Sequence, residues 1–199
     1  MLPAFTVFDV ETTGLDPRQG HRILEIAGVR VEPFDPAQSK GGRILEERVF
    51  SQLVNPERPI PWEAKSIHKI GDEEVSSAPT IDAVLPEFLR FAQNSVLVAH
   101  NAEFDMGFLH REKECCWGYV ELPECLCTLR LSRSLFPNAY RHTLDAMGAH
   151  VGLSVPKNLH RALPDVLLTA QVLLKMLEIG KITSLEELRK KAGLKQLVA

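Results

Sequence analysis

The chain has 199 residues, 45% of them hydrophobic and 25% charged, with a formal net charge of −3. That is enough for one domain with a full core and a short appendage, and the composition is ordinary for a soluble globular protein. No apolar run approaches the roughly 20 residues of a membrane helix. The opening MLPAFTVFDV has neither the basic region nor the cleavage site of a signal peptide, so a cytoplasmic protein with no membrane contact is expected.

Strands dominate the first half. Residues 4–10 form the first, with Phe5, Val7, Phe8 and Val10 as core positions. Residues 22–31 form the second and residues 45–54 the third, in which Leu45, Glu47, Val49, Ser51 and Leu53 share one side. The stretch PFDPAQSKGGR between them, residues 33–43, is rich in Pro, Gly and polar residues and reads as a loop. Connections this short predict an antiparallel meander.

The period then changes. Ile81, Val84, Leu85, Phe88 and Leu89 fall on one helical face, with Pro86 bending that helix or sitting near its start. SVLVAH, residues 95–100, is a short buried strand parallel to the first. A helix follows near 103–114, then a strand at 125–128. Helices are predicted over about 129–135, 142–152 and 163–179, the last with Pro164 in its first turn. Over 182–199, Ser184 and Glu187 make a capping box and Gly193 a helix stop. The order predicts an α/β domain with a mixed sheet flanked by helices, and catalytic groups gathered at strand ends.

The charge is uneven. Residues 1–128 carry 12 Lys and Arg against 21 Asp and Glu, whereas 129–161 carry a net of +4 and 181–199 a net of +3. An acidic body with basic stretches suits a carboxylate metal site beside a polyanion track, and it equally suits an ordinary solvated surface. The four cysteines, Cys115, Cys116, Cys125 and Cys127, lack a standard zinc spacing and read as reduced thiols filling small spaces, with a zinc site or a disulfide as the alternatives.

Three short patterns carry the chemistry. Asp9 and Glu11 are two residues apart on a strand, so they share a face. An unpaired buried carboxylate is costly, and a hard divalent cation would turn the repulsion of two into binding. Asp105 falls in the first turn of the helix after SVLVAH, within VAHNAEFDMGFL, where the helix dipole alone would also favour it. In HRALPDVLLTA, His160 precedes Asp165 by five residues, which places His160 in the loop and Asp165 in the first turn of the helix.

In this order, D-x-E on the first strand, N-x-x-F-D at a strand–helix junction and H-x4-D before an apolar helix, the sequence resembles the DEDDh, DnaQ-like family of 3′–5′ exonucleases, typified by the proofreading subunits of bacterial replicative polymerases. The resemblance covers roughly residues 4–180 and extends to ETTGL, to IHKI at 67–70 and to residues 128–153. The position four before the last Asp is Arg161 rather than the Tyr of the sister subtype.

The resemblance implies a ribonuclease H-like mixed five-stranded sheet over 1–180, with 181–199 as a short basic helical extension that packs on the domain or serves a partner. It implies that Asp9, Glu11, Asp105 and Asp165 hold two divalent cations, Mg²⁺ or Mn²⁺, and that His160 is the general base. Thr12, Thr13, Leu15, His100, Asn101 and Phe104 would meet the 3′-terminal nucleotide. The implied activity is removal of nucleoside 5′-monophosphates from the 3′ ends of single-stranded or frayed DNA, in proofreading or repair. The alternatives are an RNA-processing exonuclease of the same superfamily and a non-catalytic polymerase-associated adaptor. The implied partners are DNA or RNA 3′ ends, with a polymerase subunit as partner of the C-terminal tail. The sequence departs from the family pattern at Lys69, where relatives often have Gly, at Cys127 and in the length of the 33–43 loop.

Overall fold

Five strands form one sheet in the order β3-β2-β1-β4-β5. The structure is a computed structural model and describes residues 1–36, 42–116, 121–156 and 160–194. The centre of the expected 33–43 loop and the terminal KQLVA lie outside the described residues.

Strand β1 (Phe5–Thr12) pairs antiparallel with β2 (Ile23–Val31), which pairs antiparallel with β3 (Ile44–Leu53). On its other side β1 pairs parallel with β4 (Val96–Ala99), and β4 pairs parallel with β5 (Cys125–Cys127). The meander and the parallel fourth strand are as the sequence predicts. The single alternation expected along β3 is not found. The register with β2 jumps at Val29/Arg30, so Leu45 is buried while Val49 faces outward. A bulge adds residues to one strand and resets which face follows.

Helices cover both sides of the sheet. Helices α3 (Ile81–Phe91) and α4 (Ala102–Cys116) cover one face, packing Val84, Phe88 and Phe108 on Phe8, Val10, Ile26 and Leu97. Helices α5 (Thr128–Leu135), α6 (Leu144–His150) and α7 (Ala162–Ile179) cover the other, where Val166, Ala170 and Leu173 meet Phe5, Val7, Val29 and Val98. Pro86 lies within α3.

Two short helices were not foreseen, α1 (Trp62–His68) and α2 (Asp72–Ser76). Seven and five residues are too few to display a 3.6-residue period. They stand on a small separate core made with Leu24 by Ile60, Ala64, Ile70 and Val75. Lys69 caps α1 in the left-handed region at φ 63°, the conformation Gly adopts most easily.

Helix α8 (Leu185–Ala192) begins with Ser184 Oγ accepting from Glu187 N, and it packs back on the domain. Leu188 and Ala192 are buried in the α7-side core, Gly193 bridges to Leu126, and Arg189 binds Glu124 at 2.7 and 2.6 Å. All four cysteines are free thiols, with Cys125 and Cys127 buried. Among the described residues, no helix is long and apolar enough to cross a membrane.

Candidate active site

Alternation along β1 sets the site. Phe8 and Val10 face α3 and α4, so Asp9 and Glu11 point the other way, with Phe5 and Val7, toward α7. The first turn of α7 brings Asp165 to meet them. Carboxylate oxygens of Asp9, Glu11 and Asp165 lie within 4.8 Å of one another. Asp105 comes from the first turn of α4 and is 2% exposed, with its Oδ1 accepting from Val10 N at 3.3 Å.

Four acids this close resist ionising together. Burial, then the charges of Asp105, Glu11, Asp165 and Glu25, hold the Asp9 carboxyl well above its ordinary range. Burial first, with Asp165 and Glu25 next, pushes Glu11 up to about 8. Burial takes Asp105 to about 7 and Asp165 to about 6, the latter against a bond from the His160 backbone. Asp165 Oδ1 is buried with no hydrogen-bond partner. An all-oxygen donor set, crowded with negative charge and holding an orphaned lone pair, fits hard divalent cations.

His160 lies in the loop before α7, exposed and left-handed at φ 70°, and its N–H donates to Asp165 Oδ2 at 3.2 Å. A non-glycine residue in that region is held there by its surroundings. The hold comes from the next residue. Arg161 donates through Nε and Nη2 to Glu25 at 3.0 and 2.9 Å, and Ala162 N donates to the same carboxylate at 3.1 Å.

Beyond Glu11 a cavity of about 550 Å³ opens, lined by Thr12, Thr13, Leu15, Ile67, His68 and Phe104 among others. Leu15 stands at its lip, 82% exposed. The two threonine hydroxyls brace the turn after β1. Thr12 Oγ1 donates to Gly14 O at 2.7 Å, and Thr13 Oγ1 accepts from Arg22 N at 2.9 Å and meets His21 Nδ1 at 3.2 Å. A Cβ on Gly14 would overlap the His21 ring, so the turn needs a glycine there.

Of the six residues expected at the terminal nucleotide, Thr12, Thr13, Leu15 and Phe104 line this cavity, while His100 and Asn101 line a second hollow. Both ring nitrogens of His100 are engaged, with Thr128 Oγ1 and His142 O, each at 2.9 Å. Burial drives its pKa down to about 4, so the ring is neutral.

Three residues at the site were not picked out from sequence. His68 lines the first cavity and is 2% exposed; its Nδ1 accepts from Ile70 N at 3.0 Å, and its ring also interacts with the Thr12 backbone. Glu25 and Arg161 are the others. The signal for Glu25 was a lone acid inside an apolar strand.

The comparisons with known proteins agree with this geometry. A family model described as "Exonuclease" matches residues 6–173. A "DNA polymerase III subunit epsilon-like protein" of Rhodobacter capsulatus is 40% identical over 182 residues, which span 91% of this chain but 25% of that protein. A "DNA polymerase III subunit epsilon" of Rickettsia typhi is 37% identical over 171 residues, spanning 83% of this chain and 70% of that one. Among solved structures, "Exonuclease X in complex with 5' overhanging duplex DNA" superposes with a TM-score of 0.70 at 28% identity, covering 94% of this chain and 98% of that chain. The chain belongs to the exonuclease family, in its DEDDh, DnaQ-like branch of 3′–5′ exonucleases with a ribonuclease H-like fold.

Proposed function

We propose that the protein removes nucleoside 5′-monophosphates one at a time from the 3′ end of single-stranded or frayed DNA, in a proofreading or repair role. The observation that carries this reading is the convergence of Asp9, Glu11 and Asp165 within 4.8 Å, with Asp105 buried against the same strand, beside a cavity of nucleotide size.

Asp9, Glu11, Asp105 and Asp165 would hold two divalent cations, Mg²⁺ or Mn²⁺, which when bound lower the pKa of the attacking water and stabilise charge on the leaving oxygen. His160 accepts the water proton on its imidazole. The water oxygen would bond to phosphorus as the bond from phosphorus to the 3′-oxygen breaks, and that oxygen leaves on the shortened strand and takes a proton from solvent. Thr12, Thr13, Leu15 and Phe104 form the walls that receive the terminal nucleotide. A paired end must first leave its stack, so frayed ends enter more easily.

DNA is favoured over RNA by the named relatives, which are polymerase subunits and a nuclease bound to DNA. A replicative polymerase subunit is the partner this reading assigns. The test uses 5′-labelled DNA and RNA of identical sequence, each with Mg²⁺, Mn²⁺ or EDTA. Shortening of DNA from its 3′ end that EDTA abolishes supports the reading. Preference for RNA makes the protein an exoribonuclease. No shortening of either strand under any metal leaves the adaptor role.

A further inference from the structure

The second hollow, of about 530 Å³, lies where β4 ends. Its walls include His100, Asn101, Arg133, Tyr140, Arg141 and Thr143. We propose that this hollow binds the nucleotides immediately upstream of the 3′-terminal one, with a base stacked on Tyr140 and backbone phosphates on Arg141 and Arg133. The inference deepens the exonuclease reading and rests on it.

Tyr140 is the first reason. It is 93% exposed, the highest value among the exposed large hydrophobic residues. The Arg141 guanidinium sits 5.5 Å from its ring centroid. An aromatic ring kept in water beside a guanidinium offers a single strand both of its recognition surfaces, a stacking face and a phosphate ligand.

Charge is the second. Arg133 and Arg141 border the hollow. Asp145 lies close to them, and bonds from the Thr143 side chain and the Ala146 N–H hold its carboxyl below the usual carboxylate range. It stays ionised and is also attracted by Arg141, so it offsets part of the positive charge, and the two arginines still outnumber it at the hollow. His100 is neutral and adds no charge of its own.

The third is rigidity. His100 ties the end of β4 to Thr128 of α5 and to the His142 carbonyl, and His142 Nδ1 meets Ser132 Oγ at 3.0 Å. Strand, helix and loop are pinned together beneath the hollow, so binding there needs little reordering.

Position is the fourth. The parallel register Val7↔Val98 leads, two residues along each strand, to Asp9 and His100 at the same end of the sheet. The junction that follows carries Asn101 on the second hollow, Phe104 on the first cavity and Asp105 among the acids, with Phe104 N donating to Asn101 O at 2.9 Å. A strand whose last nucleotide fills the first cavity and whose scissile phosphate lies at the acids continues toward the second hollow.

The test compares wild type with Tyr140→Ala, Tyr140→Phe and Arg141→Ala. The substrates are the p-nitrophenyl ester of thymidine 5′-monophosphate and thymidine oligonucleotides of increasing length, in Mg²⁺. A second readout is the Kd of a labelled thymidine hexamer in Ca²⁺ across a salt series. The loss in Tyr140→Ala should grow with substrate length, reaching roughly five- to tenfold in kcat/KM on the hexamer, with Tyr140→Phe restoring it. Arg141→Ala should flatten the salt dependence of hexamer binding by about one phosphate contact. Variants whose losses are the same on the ester and the hexamer, with an unaltered salt slope, overturn the inference while leaving the exonuclease reading intact. A wild-type protein that hydrolyses neither ester nor oligonucleotide overturns the exonuclease reading, and the inference with it.

Discussion

Glu25 holds Arg161 through two guanidinium bonds, at 3.0 and 2.9 Å, and takes the Ala162 N–H with the same carboxylate. The pair ties the start of β2 to the residue that precedes α7, Arg161 lying one residue after His160 and four before Asp165. Glu25 also lies directly across the ladder from Glu11. A buried acid beside four others is stable here because three donors converge on it.

Glu25→Ala should therefore damage both stability and chemistry. Breaking a buried ion pair by removing one partner costs about 3–5 kcal/mol, with the lower end expected because the Arg161 side chain is 39% exposed. His160 and Asp165 lose their fixed approach, so kcat should fall more than KM rises. Glu25→Gln, which keeps an acceptor for Ala162, should lie between. Urea melts and steady-state kinetics on one DNA substrate check this, and a wild-type kcat in Glu25→Ala would refute the positioning role.

The raised acid values fix the pH behaviour of the metal-free protein. Near pH 4 the unfolded chain is about half protonated at these groups, while the folded chain keeps its protons until about 6 at Asp165, 7 at Asp105 and 8 at Glu11. Between pH 4 and 8 the folded state thus binds more protons than the unfolded one, and stability falls as pH rises. Cation binding expels those protons, so affinity climbs across the same window. Melting in EDTA should show Tm dropping from pH 5 to 8, and the gain in Tm from added Mn²⁺ should be larger at pH 8 than at pH 6. Asp9→Asn, which removes one charge, should raise the EDTA-state Tm at pH 8.

If His160 accepts the water proton, His160→Ala loses about 10²–10⁴-fold in kcat, the usual weight of a general base. Metal binding should survive, because the imidazole is not among the clustered carboxylates. Calorimetric titration with Mn²⁺ separates the two effects. A variant that loses cation affinity along with activity would make His160 a structural support of Asp165.

Gly14 is the smallest lever on the substrate cavity. Gly14→Ala displaces the His21 ring and with it the contact to Thr13 Oγ1, unsettling the turn that follows Glu11. KM for DNA should rise several-fold with the fold intact by circular dichroism.

Much of this was legible in the chain. The meander of the first three strands followed from their spacing and short connections, and the four acids stood out because three short patterns, each weak alone, came in the order of the family the sequence resembles. The less legible parts are physical in origin. The β3 register jumps at Val29/Arg30, an irregularity that periodicity does not encode. Helices α1 and α2 are too short to show a period, so His68, at the last position of α1, was visible only as part of IHKI. Lys69 looked like a departure, and its φ of 63° shows the backbone adopting the left-handed cap despite the side chain. The resemblance placed His100 beside the terminal nucleotide, and the bonding of both its nitrogens within the protein could not be read from sequence.

The most direct test of the central claim is the chemical identity of the first product. Wild type and Asp9→Ala would each be incubated with single-stranded DNA in Mg²⁺, and the released nucleotides identified by mass spectrometry. The account predicts nucleoside 5′-monophosphates lost in order from the 3′ end, none from Asp9→Ala and none in EDTA. Release of nucleoside 3′-monophosphates, or release that persists in EDTA or in Asp9→Ala, would contradict it.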